Sequence, residues 1–252
     1  MKKQLPNIIT LLNLLCGVLS IVVMTVYHNM TMAALLIVLG AVFDFFDGMT
    51  ARLFKMSSPI GKELDSLSDI VTFGVAPAIM TSLILIEQKQ DFSFLSILGG
   101  IICFVPIIMA ILSSYRLAKF NLDKRQSSAF IGLATPANAF FWLSIPIIKF
   151  VYENNTNLWS FKHFCIYDNI YSILLCPYVI LPLSIIMAII LISEIPMFSL
   201  KFHDFKWQSN KIRFIFLIIS ATLIILINVY ALPIIIIFYI ILSIVDNQIK
   251  KQ

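Results

Sequence analysis

Four aspartates stand within 26 residues of a strongly apolar part of the chain, in the strings D-F-F-D-G-M-T-A-R and G-K-E-L-D-S-L-S-D. They are Asp44, Asp47, Asp65 and Asp69. Ionised carboxylates at membrane depth are costly unless cations compensate them. Carboxylate oxygens without His or Cys suit Mg²⁺, Mn²⁺ or Ca²⁺ better than zinc. The cluster therefore predicts a divalent-cation site.

Helical periodicity gathers these residues on two faces. At 3.6 residues per turn, offsets of 3, 4, 7 and 8 share one face, and so do positions four apart. A short turn follows the first face, where Ser58 can cap the next helix and Pro59 fits its first turn, so the two helices should be antiparallel neighbours with converging faces. The first face carries Asp44, Asp47, Gly48, Ala51 and Arg52, and the second carries Gly61, Asp65 and Asp69.

Other interpretations of the acidic cluster remain. A structural salt-bridge network is short of cations, since Arg52 and Lys62 face five nearby acids, the four aspartates and Glu63. A cation transport path is the stronger alternative, because carboxylates within spans also mark ion routes. Against transport, the acids lie toward one side, with no matching set toward the other. Gly48 and Gly61 either admit a ligand to the helix surface or allow close helix packing.

The elements that position these side chains belong to an integral membrane protein. The chain has 252 residues, 60% hydrophobic and 12% charged, with a mean hydropathy of +0.97. We expect an all-α polytopic bundle, because apolar stretches of about 20 residues can cross a membrane as helices. The last two stretches form either a hairpin or a broken helix. About eight spans are predicted, near 6–27, 30–53, 59–86, 93–119, 129–152, 170–198, 212–230 and 232–246.

Basic residues predict the orientation, because Lys and Arg are retained on the cytoplasmic side of short loops. These spans place 15 of the 18 basic residues on one side, so both termini should be cytoplasmic and the first helix retained. The net charge of +5 follows from this topology and gives no support to nucleic-acid binding. The four cysteines lack C-x-x-C spacing, which favours structural thiols. The three histidines form no cluster with metal-ligand spacing.

The pattern D-x-x-D-G-x-x-A-R-x8-G-x-x-x-D-x-x-x-D resembles the signature of the CDP-alcohol phosphatidyltransferases, and all eight fixed positions are filled. The resemblance implies a membrane enzyme that moves a phosphatidyl group from a CDP-linked lipid to an alcohol and releases CMP. It also implies a six-span core over residues 1–200, followed by a cytoplasmic loop and two additional spans over residues 201–252. Family relatives tend to pair, so we expect a homodimer.

Flanking strings are similar to the phosphatidylserine synthase branch of that family. They are P-N-I-I-T-L-L-N-L-L-C-G, S-S-Y-R-L-A-K-F-N and F-I-G-L-A-T-P-A. Asn13 stands where branches with phosphorylated acceptors commonly carry Arg, and a neutral amide suits an acceptor without phosphate. Ala134 and Lys119 depart from the branch, which often has Pro and Arg there. The expected acceptor is L-serine; glycerol 3-phosphate or inositol phosphate is the alternative.

The resemblance also implies a role for each site residue. The four aspartates would hold two divalent cations, Mg²⁺ or Mn²⁺, on the diphosphate of CDP-diacylglycerol, with Asp69 as general base on the serine hydroxyl. Arg116 is the expected partner of the serine carboxylate, or else a lipid anchor; Lys119 and Lys62 are alternatives. We expect the site to face the cytoplasm from the inner membrane. Asn7 and Thr10 would contact the donor or, alternatively, cap the start of a helix. The other expected donor contacts are Asp47, Gly48, Ala51, Arg52 and Gly61. The acceptor would contact Arg116, Lys119 and Asn13.

Overall fold

The computed structural model describes residues 5–53, 58–88, 99–122, 130–154, 165–198 and 207–251. Within these ranges the chain is helical apart from one short strand pair, which confirms the all-α prediction. The helices are α1 Leu5–Val26, α2 Met30–Leu53, α3 Pro59–Asp69, a π-helical segment Ile70–Val75, α4 Ala76–Glu87, α5 Gly99–Ile102, α6 Ile107–Leu122, α7 Thr135–Glu153, α8 Cys165–Leu175, α9 Pro177–Ile192, α10 Trp207–Ile227 and α11 Ala231–Lys251.

Several sequence predictions fall outside the described residues. They include most of the turn before Ser58, the boundary expected near residue 200, and two of the histidines, His163 and His203. Half of the basic residues used for the orientation also lie there, namely Lys2, Lys3, Lys55, Lys89, Lys124, Arg125, Lys162, Lys201 and Lys206.

Five helical segments are long and apolar enough to cross a membrane, and a bent pair makes a sixth candidate. The chain is therefore an integral membrane protein. In the bent pair, Tyr167–Leu175 and Pro177–Ile192 meet at 71°. The five are Pro6–Val26, Met30–Leu53, Pro59–Glu87, Gly100–Leu122 and Asn210–Gln248.

The sequence predicted eight spans, two more than the six candidates, for two reasons. Helix α7, predicted as a span, is not among the candidates because its residues, which include Asn138, Ser144 and Lys149, are too polar on average. The segment Asn210–Gln248 counts once although two spans were predicted there.

That last segment is a hairpin. The rings of Phe216 and Tyr239 lie 5.7 Å apart, whereas 23 residues of straight helix would separate them by roughly 35 Å. The reversal occurs at Ile227, with φ −123°, and Asn228, with φ 53°. Asparagine tolerates this left-handed conformation better than most residues. Helices α10 and α11 therefore pack antiparallel, which decides between the two interpretations of this segment.

Helix α1 is tied to α3 and to the π-helical segment by polar side chains. Ser68 Oγ donates to the carbonyl of Thr10 at 3.1 Å, and Thr72 Oγ1 donates to the carbonyl of Asn13 at 3.0 Å. A Cβ at Gly17 would lie 2.5 Å from Thr72 Oγ1, so glycine is required for this close approach. The start of α3 is capped as predicted, with Ser58 Oγ accepting from the Gly61 amide at 3.0 Å.

A strand pair joins the N-terminus of α7 to the C-terminal hairpin. Strand β1, Phe130–Ile131, pairs antiparallel with β2, Pro196–Met197. Gly132 follows β1 with φ +75°, and α7 begins at Thr135. Helix α11 contacts the residue that follows β2: Tyr239 Oη donates to the carbonyl of Phe198 at 3.0 Å.

Candidate active site

Three of the four predicted carboxylates converge between α2 and α3. Asp44, Asp47 and Asp65 each offer one oxygen, and these oxygens lie within 4.8 Å of one another. Asp47 is 5% exposed, and its Oδ2 has no hydrogen-bond partner among the described residues. Like charges this close repel strongly away from water, so the cluster needs a compensating charge. The three side chains therefore fit a divalent cation.

Asp69 lies one helical turn beyond Asp65 on α3 and is not part of that close group. Its Oδ1 accepts a hydrogen bond from Nδ2 of Asn13 at 3.3 Å. The carboxylate remains within electrostatic range of Asp44 and Asp65. Asp69 is thus held apart from the three converging carboxylates but close enough to act beside them.

A cavity of about 270 Å³ opens beside the carboxylates. Six of the seven residues predicted to bind the donor line it, and Arg52 is the exception. A Cβ on Gly61 would lie 3.0 Å from Asn7 Oδ1, so this glycine makes room for the asparagine. The lining residues are Pro6, Asn7, Thr10, Asp47, Gly48, Ala51, Ser58, Gly61, Lys62 and Asp65.

Two residues predicted to contact the lipid donor, Thr10 and Arg52, make hydrogen bonds within their own helices. Thr10 Oγ1 donates to the carbonyl of Pro6 at 3.0 Å, whereas an N-capping side chain accepts from a backbone N–H. Arg52 Nε donates to the carbonyl of Gly48 at 2.8 Å, so its side chain bends back over the last turns of α2. Gly48 itself remains open, because the nearest atom to a Cβ there is Nη2 of Arg52 at 3.9 Å.

Arg116 on α6 is buried rather than at the surface, where a lipid anchor would lie. The residue is 7% exposed, and Nη1 donates to Thr135 Oγ1 at 3.4 Å. Its guanidinium lies 6.0 Å from the centre of the Phe120 ring and within electrostatic range of Asp69. Its Nε has no hydrogen-bond partner in the described part of the chain. A buried cation beside the isolated carboxylate can bind an anionic group there.

The two alternative cations, Lys119 and Lys62, already have partners. Lys119 pairs with Glu194 at 3.0 Å, and both side chains are partly exposed. Lys62 lines the cavity, but its Nζ donates to the carbonyl of Asn121 at 3.1 Å. Of the three cations, Arg116 is therefore the one that is buried near Asp69.

The model of the CDP-alcohol phosphatidyltransferase family matches residues 3–189. The chain belongs to this family. It is 37% identical over 151 residues to a CDP-diacylglycerol–serine O-phosphatidyltransferase of Bacillus subtilis, covering 60% of this chain and 78% of that protein. It is 35% identical over 136 residues to a Helicobacter pylori protein of the same name, covering 53% of each. An archaetidylserine synthase of Methanothermobacter thermautotrophicus is 34% identical over 137 residues, covering 54% of each.

As a CDP-alcohol phosphatidyltransferase, the chain is an enzyme, which favours phosphatidyl transfer over cation transport as the use of its carboxylates. The chain spans about half the length of the Helicobacter and archaeal proteins that it matches. The family match ends before α10, so the C-terminal hairpin lies beyond it.

Sequence reasoning missed three polar residues that hold this phosphatidyltransferase site together. Ser68 and Thr72 follow Asp65 by three and seven positions, so the same helical periodicity could have revealed them. Thr135, the partner of Arg116, comes from α7 and carries no comparable signal, because the contact joins residues 19 positions apart on different helices.

Proposed function

We propose that this family member transfers the phosphatidyl group of CDP-diacylglycerol to the hydroxyl of L-serine, releasing CMP and phosphatidylserine. The observation that carries the proposal is the buried guanidinium of Arg116 within electrostatic range of Asp69. An amino-acid acceptor brings a carboxylate and a hydroxyl, which match a fixed cation beside a base. The similarity to serine-specific relatives supports the same acceptor.

The donor occupies the cavity beside the carboxylates in this scheme. Gly48, Ala51 and Gly61 present little side chain there, so a nucleotide can approach the helix backbones closely. Asn7 and Thr10 offer polar groups to the same headgroup from the start of α1. Arg52, at the end of α2, turns from the Gly48 carbonyl toward a donor phosphate when the lipid is bound.

In the proposed enzyme the acidic residues would hold two divalent cations, Mg²⁺ or Mn²⁺. Two observations support the fit: three carboxylate oxygens lie close together, and Asp47 Oδ2 has no hydrogen-bond partner in the described part of the chain. Asp44, Asp47 and Asp65 would hold the cations together with Asp69. When bound, such cations neutralise the diphosphate of the donor.

Asp69 acts as the general base. Its carboxylate takes the proton of the serine hydroxyl, and the serine oxygen bonds to the phosphorus that carries the diacylglycerol. The bond from that phosphorus to the CMP oxygen breaks, and CMP leaves with the bonding electrons. Asn13 holds Asp69 through its amide, while Arg116 orients the serine through its carboxylate.

The proposed site faces the cytoplasm from the inner membrane, with both termini on that side. Arg52, Lys62, Arg116 and Lys119 lie near the helix ends that carry the site, as cytoplasmic placement of basic residues requires. Residues 1–200 form the catalytic core of the proposed enzyme, in which five of the six expected spans are candidates, counting the bent pair as one, and residues 201–252 form the addition outside it. We expect a homodimer, as the family resemblance implies.

A CMP-release assay with an acceptor panel tests the function. Purified protein in vesicles receives CDP-diacylglycerol, Mg²⁺ and one of serine, glycerol 3-phosphate, inositol phosphate or choline. We expect CMP release with serine only, together with phosphatidylserine as the lipid product. Faster release with a phosphorylated acceptor would overturn the serine assignment while leaving the family chemistry intact.

A further inference from the structure

Helix α7 begins without a capping side chain. Its N-cap residue is Ala134, which has extended backbone angles, φ −65° and ψ 136°, but no polar group that could accept from the first turn. The first N–H groups of an α-helix have no partner within the helix, and Pro136 has no N–H at all. The amides of Thr135 and Ala137 are therefore the donors left at this end, and Thr135 is fully buried.

The backbone that leads into α7 is held in place, so the helix start has a fixed position. The N–H of Gly132 donates to the carbonyl of Ile195 at 2.9 Å, and the N–H of Leu133 donates to the carbonyl of Ile190 at 3.2 Å. These bonds continue the pairing of β1 with β2 up to the N-cap. Gly132 has φ +75°, and a Cβ there would clash with the carbonyl of Leu191, so this approach requires glycine.

The guanidinium of Arg116 lies against this helix start. Its Nη1 donates to Oγ1 of Thr135, the first residue of α7, at 3.4 Å, and Arg116 is only 7% exposed. Its Nε has no hydrogen-bond partner among the described residues. A helix N-terminus carries about half a positive charge, so the guanidinium adds like charge to like charge. Away from water this arrangement is costly unless an anion joins the two, and the pair therefore points to an anionic ligand.

The anionic group could come from the donor or from the acceptor. The cavity proposed to hold the donor is lined by residues of α1, α2 and α3 and by Ser58, and no described residue of α6 or α7 lines it. A carboxylate has two oxygens, which suit a guanidinium and the amides of a helix start. An amino-acid acceptor brings such a carboxylate, so the arrangement favours the acceptor as the source.

We propose that the N-terminus of α7 and the guanidinium of Arg116 together form the subsite that binds the carboxylate of the acceptor. The inference rests on the proposed function, which has serine as the acceptor. The free amides of Thr135 and Ala137 donate to the carboxylate from one side and Arg116 donates from the other. The hydroxyl of Thr135 is a positioning group, because it holds the guanidinium against the helix start.

Ala134→Asp tests the helix start directly. An aspartate at the N-cap accepts from the first-turn amides and stabilises the helix. It also puts a carboxylate where that of the acceptor would lie. We expect the KM for serine to rise about tenfold or more, with an equal or higher Tm and an unchanged KM for CDP-diacylglycerol. Ala134→Ser is the uncharged comparison and should raise the KM for serine less. An unchanged KM for serine together with a higher Tm would show that the amides serve only the helix.

Thr135→Val tests the positioning group, because it removes the hydroxyl and keeps the branched side chain. We expect the KM for serine to rise about fivefold or more with kcat unchanged, and Thr135→Ser should restore it. Thr31→Val is the matched control, since Thr31 Oγ1 donates to the carbonyl of Pro146, farther along the same helix, at 3.4 Å. It should change neither KM. Equal increases in both KM values from Thr135→Val would overturn the positioning role.

The acceptor panel separates this inference from the proposed function. If serine supports CMP release but neither Ala134→Asp nor Thr135→Val raises its KM, only the inference fails. If CMP release requires a phosphorylated acceptor or choline, the serine assignment fails and the carboxylate subsite fails with it. A rise confined to the KM for CDP-diacylglycerol would assign the anion to a donor phosphate and would overturn the inference while leaving serine as the acceptor.

Discussion

The side-chain amide of Asn13 donates a hydrogen bond to the carboxylate of Asp69, with Nδ2 and Oδ1 3.3 Å apart. The bond joins α1 to α3 across 56 positions of sequence. Asn13 is fully buried, and its backbone carbonyl accepts a hydrogen bond from Thr72 Oγ1 at 3.0 Å. This bond fixes the backbone that carries the side-chain amide. Helix α1 thereby orients the proposed base. The expectation for Asn13 was a contact with the acceptor, whereas its observed contact is with the carboxylate of Asp69.

Asn13→Ala should lower kcat and leave both KM values nearly unchanged. The variant removes a hydrogen bond to a charged group, and the loss of such a bond corresponds to about a 10- to 100-fold decrease in rate if it is needed in the transition state. CMP release at saturating substrates measures kcat. Asn154→Ala is the control. Asn154 follows the C-terminus of α7, at the opposite end of that helix from Thr135, and its Nδ2 donates to the carbonyl of Phe150. A change in the KM for serine with kcat intact would return Asn13 to acceptor binding.

Asp69→Asn should abolish most turnover while the protein still folds and binds the donor. Loss of a general base typically lowers the rate by about 10²- to 10⁴-fold, and asparagine preserves the size of the side chain. Binding of CDP-diacylglycerol is measured separately, by protection against thermal unfolding. Glu63→Gln, an exposed residue of the same helix, serves as the matched control and should be fully active. Near-normal CMP release from Asp69→Asn would exclude this carboxylate as the base.

The sequence could predict the acidic cluster because its residues are joined by helical periodicity and one short turn. Asp44, Asp47 and Asp65 converge as those two rules require. The partner of Lys119 could not be predicted, because Glu194 lies 75 positions away and only tertiary packing brings it near. A span was also predicted over α7, whose composition is too polar for it to be a candidate span.

Removal of divalent cations should stop the reaction, and the carboxylate variants should need more metal. Asp65→Asn weakens the proposed site without changing its shape, so we expect the Mg²⁺ concentration for half-maximal activity to rise about tenfold or more. A chelator followed by graded Mg²⁺ or Mn²⁺ measures this in the CMP-release assay. Asp168→Asn, which lies on α8 and accepts from Tyr152, is the control. Full activity in the chelator without added metal would contradict the cation site.

Lys119→Ala should leave the KM for serine within about twofold of the unsubstituted value. The lysine pairs with Glu194 at 3.0 Å on a partly exposed surface, where ion pairs contribute little. Arg116→Ala is the comparison, since its guanidinium is buried near Asp69 and its removal should raise the same KM strongly. Titration of serine at saturating CDP-diacylglycerol measures both variants. A larger effect at Lys119 would transfer the acceptor site to the pair with Glu194.

Gly17→Ala and Gly48→Ala should separate the packing of the site from its use. A Cβ at Gly17 would lie 2.5 Å from Oγ1 and 2.9 Å from Cα of Thr72, so the π-helical segment would have to move. Such overpacking costs about 1–3 kcal/mol, and it also disturbs the bond from Thr72 to Asn13. We therefore expect a lower Tm together with a lower kcat.

Gly48→Ala should leave Tm unchanged, because the nearest atom to its Cβ is 3.9 Å away. The added methyl projects toward the cavity lined by Gly48, so the KM for CDP-diacylglycerol should rise while the KM for serine stays the same. Thermal unfolding and the two substrate titrations distinguish the variants. Equal losses of Tm in both would mean that Gly48 serves helix packing rather than the donor, because only a packing role makes the two glycines equivalent.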